Sequence, residues 1–68
     1  MGISYKKLWK LLIDMEIKKG ELREKAGISQ STMAKLSRNE NVTTDILVKI
    51  CIALRCSLND IAEIEFNE

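Results

Sequence analysis

Three groups of residues in this chain are of types that could do chemistry: two thiols, a pair of carboxylates, and a polar run within GISQSTMAKLSRNE, residues 27–40. The thiols, Cys51 and Cys56, lack CxxC spacing, and the chain has no histidine to complete a zinc set, so they read as free, core-type cysteines. Glu63 and Glu65 sit in a tail and read as solubilising. With no Gly-rich phosphate loop and too few residues for a deep pocket, the composition points away from an enzyme, and no cofactor or metal is expected. The polar run is different. Gln30, Ser31 and Thr32 open a short helix directly after Gly27-Ile28-Ser29, and Lys35 follows one turn later. A small domain that gives a helix to small polar and basic groups either leaves that face in water or presses it against something.

The rest of the chain must position that face. Its 68 residues amount to one domain, expected over 1–68 with a core at about 4–62 and a tail at 63–68. Hydrophobic residues make up 46% and charged residues 31%, with no proline and three glycines, a mix that favours helices over a sandwich or barrel. No signal peptide opens the chain, and no apolar run approaches the roughly 20 residues of a membrane span, so the default reading is a cytoplasmic protein. The net charge is only +1, but residues 1–38 hold nine Lys/Arg against four Asp/Glu, whereas residues 39–68 hold two against six. A basic half and an acidic half suggest a polyanion on one side only.

Helical spacing supplies the elements. The first helix is expected at about Ser4–Met15, capped by Ser4, with Tyr5, Leu8, Leu12 and Met15 as its stripe. Trp9, Leu11 and Ile13 widen that stripe, as though a terminus or a second subunit covers part of it. The second spans Lys19–Ala26, with Glu21 in its first turn and Gly27 as the residue that stops it. The third starts from Ser29 as N-cap and ends near Arg38, with Met33 and Leu36 facing inward. The fourth starts from Thr43 as N-cap and carries Ile46, Leu47, Ile50, Cys51 and Leu54. Ser57 is expected to cap a short fifth helix with Leu58 and Ile61. The alternation in Glu63–Phe66 suits a short strand, weakly signalled, beside residues 2–4.

Two short helices joined by Gly27-Ile28-Ser29 form a helix-turn-helix arrangement. Here the sequence resembles the Cro/C1-type (XRE) helix-turn-helix regulators. Leu22, Ala26, Gly27, Ile28, Met33 and Leu36 match the positions that family fills with apolar residues and glycine, and NVTTDILVKICIALRCSLNDI resembles its fourth and fifth helices. The resemblance implies an all-α, compact five-helix, lambda-repressor-like domain that binds double-stranded DNA. By position, it implies base reading by Gln30, Ser31 and Lys35, with Thr32 a further candidate, from the third helix in the major groove. It places phosphate contacts at Lys10, Lys19, Arg38, Asn39, Asn41 and Thr43. Arg23 departs from the family pattern, which has a small residue there. The resemblance also implies a homodimer on DNA, for which Trp9, Leu58 and Phe66 are the candidate contacts. The competing reading is a helix-turn-helix module that binds another protein.

Overall fold

The computed structural model describes residues 2–66, so Asn67 and Glu68 of the expected tail lie outside the described residues. Along the chain run β1 (Gly2–Ser4), α1 (Lys6–Asp14), α2 (Lys19–Ala26), α3 (Gln30–Ser37), α4 (Thr44–Leu54), a 3-10 turn (Leu58–Asp60) and β2 (Glu63–Glu65). Among the described residues there are four α-helices, not five. The expected fifth is the single 3-10 turn. Asp60 Oδ2 accepts from both the Ser57 N–H and the Ser57 hydroxyl, each at 3.0 Å, which closes the turn on itself. Soon afterwards the chain extends into β2, which pairs antiparallel with β1 in the register Gly2↔Glu65, Ile3↔Ile64, Ser4↔Glu63. Ser4 therefore belongs to a strand and is buried. The N-cap position of α1 falls to Tyr5, and Ser4 Oγ accepts from the Lys6 N–H at 3.3 Å.

All four helices stop the same way. A left-handed residue follows each one: Glu16 (φ 57°), Gly27 (φ 67°), Asn39 (φ 55°) and Arg55 (φ 54°). The next N–H then bonds back to a carbonyl five residues earlier: Ile17 to Leu12, Ile28 to Arg23, Glu40 to Lys35, Cys56 to Cys51. This is the Schellman geometry, which satisfies the last carbonyls of each helix and brings the backbones of those two residues close. Only Gly27 adopts it without steric penalty. No atom lies within 4 Å of where a Cβ at Gly27 would sit, so Gly27→Ala meets the cost of the positive φ alone. Thermal unfolding of that variant is expected to show a loss of about 1 kcal/mol, or roughly 4–8 °C in Tm.

The core draws on every helix: Tyr5, Leu8, Leu12, Leu22, Ala26, Ile28, Met33, Leu36, Ile50 and Leu54, joined by Ile61 and Ala62 after the 3-10 turn. α2 packs on both α3 and α4, and α1 packs on the 3-10 turn. All six residues singled out in the helix-turn-helix are accounted for, with five of them buried and Gly27 in the turn. The expected stripe of α1 is narrower than its sequence suggests, because Ile13 is 75% exposed and Met15 lies beyond the helix at 42%.

Candidate nucleic-acid interface

Ser29 sets the start of α3. Its Oγ accepts from the Thr32 N–H at 3.2 Å and also lies 3.0 Å from Ser31 Oγ and 2.9 Å from Thr32 Oγ1. A side-chain oxygen there satisfies one of the amides left free at a helix start. Met33 and Leu36 are buried and fix the rotation of α3. Gln30, Ser31 and Lys35 are thereby exposed, while Thr32 is half-buried. Gln30 with Ala34, and Ser31 with Lys35, stand four apart, so these four share one face. The site residues expected from the sequence on α3 thus lie together, with Thr32 engaged in the cap.

Beside that face lies an open cleft of about 380 Å³ between α2 and α3, lined by Lys19, Gly20, Arg23, Gln30, Met33, Ala34 and Ser37. It has two cations and no carboxylate. The Lys19 ammonium sits 4.4 Å from the centre of the Trp9 ring, and Nζ donates to Ser37 Oγ at 3.4 Å. A ring face attracts a cation and limits its wandering, so α1, α2 and α3 jointly aim Lys19. Sequence reasoning treated Arg23 only as a departure from pattern. The structure places it, half-buried, in the cleft beside Gln30, its guanidinium making no hydrogen bond or ion pair with any described residue. The signal was present in the sequence: Lys19 and Arg23 are four apart and share a helix face. An open cleft with two cations is suited to an anion such as a phosphate.

The remaining expected phosphate residues have structural partners or lie elsewhere. Arg38 Nε donates to Glu40 Oε2 at 2.7 Å, and this exposed pair holds the Glu40 carboxyl below its ordinary pKa. Asn39 Oδ1 accepts from the Tyr5 N–H at 3.0 Å, and the Tyr5 hydroxyl donates to the Glu40 carbonyl at 3.1 Å. Tyr5, buried at the start of α1, therefore anchors the turn that follows α3, and burial pushes its phenol pKa up. Thr43 Oγ1 accepts from the Ile46 N–H at 3.4 Å as the cap of α4. Asn41 is exposed. Lys10 lines a separate shallow groove with Lys7, Leu11, Asp14, Asn59 and Asp60, which shares no residue with the α2–α3 cleft.

The three apolar candidates for a dimer contact differ in exposure and setting. Trp9 is half-buried under Lys19. Leu58, 53% exposed, lines an apolar groove of about 280 Å³ with Thr44, Leu47, Val48, Cys51, Ile52 and Cys56. Phe66, 76% exposed, follows β2. Among the described residues no three metal-ligating side chains cluster, and no helix is long and apolar enough to cross a membrane.

A profile of the Cro/C1-type HTH DNA-binding domain matches residues 7–67. No curated protein matches the chain significantly. Among solved structures, the crystal structure of the transcriptional regulator VanUg (Form II) superposes with a TM-score of 0.88 at 58% identity, covering 91% of this chain and 83% of that one. The turn at Gly27, the five buried residues around it and a profile match over nearly the whole sequence agree: the chain belongs to the Cro/C1-type helix-turn-helix DNA-binding family.

Proposed function

We propose that this protein is a transcriptional regulator that reads double-stranded DNA sequence-specifically, with α3 in the major groove. The observation that carries this reading is the exposed Gln30, Ser31, Lys35 face beside an acid-free cleft holding Lys19 and Arg23. Gln30 has the bidentate geometry for adenine N6/N7, and Lys35 can donate to guanine O6/N7. Ser31 and Thr32 complete the reading edge. Lys19 and Arg23 hold phosphate, and Lys10, Arg38, Asn39, Asn41 and Thr43 serve flanking phosphates. The whole chain acts as one DNA-binding unit.

The protein binds as a homodimer on half-sites about 34 Å apart. The protomer's longest extent, 36 Å, is comparable with that spacing. Leu58, with the exposed Val48 and Ile52 beside it, centres the seam, and Phe66 extends it. Trp9 contributes by holding Lys19. Selection from random duplexes tests this reading. Enrichment of a two-fold repeat with half-sites one helical turn apart is expected. Recovery of no preferred sequence contradicts it and favours a protein partner on the apolar groove instead.

Arg23 gives a second check. Removing one phosphate-neutralising cation lowers the slope of log affinity against log salt by about 0.9 per site. Arg23→Ala is expected to weaken binding to all duplexes alike and flatten the salt dependence by about 0.9 per bound protomer, or about 1.8 for the dimer, while the preferred sequence stays the same.

A further inference from the structure

The Schellman geometry at the end of α4 sets two thiols side by side. At the ends of α1 and α3 the residues joined by the five-residue bond suit each other: Leu12 with Ile17 is an apolar pair, and Lys35 helps to hold the Glu40 carboxyl below its ordinary pKa. At α4 the pair is Cys51 and Cys56, with the Cys56 N–H bonded to the Cys51 carbonyl at 3.1 Å and the Arg55 N–H to the Ile52 carbonyl at 3.4 Å. Adding covalent geometry to that bond caps the Cα–Cα separation at about 7 Å even for a straight line of atoms. The real path is bent, which places the pair within the roughly 4.4–6.8 Å that a disulfide spans. Both cysteines are free, both are half-buried, and both line the apolar groove beside Leu58. Burial, and next the nearby Cys51, pushes the Cys56 thiol up to about 11. Cys56 is thus largely protonated near neutral pH and a slow nucleophile.

We propose that Cys51 and Cys56 are a modification site, closing to a reversible intrachain disulfide that locks the C-terminal cap of α4. The oxidant class is a hydroperoxide. The Cys51 sulfur attacks the distal peroxide oxygen, the O–O bond breaks, and a sulfenic acid forms as the leaving oxygen takes up a proton. Cys56 sulfur then displaces the sulfenic oxygen, forming the S–S bond and releasing water. Each thiol gives up one electron and one proton, and the peroxide is reduced by two electrons.

Arg55 lies between the two cysteines, so trypsin separates residues 50–55 from the segment that starts at Cys56. The folded protein is exposed to hydrogen peroxide, remaining thiols are alkylated, and the digest is analysed without reductant. The expected product is one species joining those two peptides, two hydrogens lighter than their sum and separated by dithiothreitol, from a protein that stays monomeric on a non-reducing gel. The oxidised protein is expected to melt higher than the reduced one. Cys51→Ser and Cys56→Ser should each abolish the joined peptide and the Tm rise. Chains cross-linked to one another, sulfinic or sulfonic acids without the joined peptide, or thiols still free when a denatured control is oxidised would each overturn the proposal. So would a Tm that falls on oxidation, because the bond would then not fit the native cap.

Discussion

Replacing Gln30 and Lys35 together by alanine is expected to remove most of the protein's preference for its operator while leaving much of its non-specific affinity. Each bidentate base contact discriminates by about 1–3 kcal/mol. For well-separated base pairs these losses add, so the pair is worth roughly 2–6 kcal/mol, a thirtyfold or greater loss of discrimination. Lys19 and Arg23 stay in the α2–α3 cleft, and they serve every sequence equally. Competition between operator and random duplex at one fixed salt concentration measures the effect. Both substituted side chains are exposed, so circular dichroism and Tm should hardly change. A double variant that loses all duplexes equally would place these residues on phosphate instead of bases.

Leu36→Ala is expected to have the largest effect on stability. Leu36 is fully buried, on the inner face of the helix that carries the proposed reading edge. Truncating a buried leucine costs about 2–5 kcal/mol through lost burial and the cavity left behind. A domain of this size has little more than that in total. Denaturant titration should therefore show a variant that is largely unfolded, or folded only when DNA stabilises it. Ser37→Ala, one residue along on the exposed side, loses only the Lys19 contact at 3.4 Å and should unfold much like the parent. If Leu36→Ala melted like the parent, α3 would not be seated as described.

The parts legible in the sequence are those fixed by local chemistry. Ser29 and Thr43 each cap a helix through their own side-chain oxygen, and Gly27 takes positive φ, so the boundaries of α2, α3 and the start of α4 follow from composition and spacing. The exposed face of α3 follows from Met33 and Leu36, whose burial leaves Gln30, Ser31 and Lys35 outward. Less legible is whatever depends on distant partners. Ser4 is a good cap by type, yet pairing with Glu63 across the whole chain draws it into β1. Ser57 also looks like the cap of a longer helix, but Asp60 closes on it after one turn. Glu16, Asn39 and Arg55 occupy left-handed positions that glycine usually signals, so the repeated helix ending shows only in the backbone. The bond from the Tyr5 N–H to Asn39 Oδ1, which ties the turn after α3 to the start of α1, joins residues too far apart for any local spacing to show.

The most direct test of DNA binding is fluorescence anisotropy of a labelled random-sequence duplex, titrated with the protein at about 50 and 200 mM salt. If two to four lysine and arginine side chains neutralise phosphates, the fourfold rise in salt should weaken binding by roughly 10- to 150-fold. Micromolar binding at low salt with that dependence is the expected result. No binding at the lower salt, or binding indifferent to salt, would contradict the assignment of the α2–α3 face to DNA.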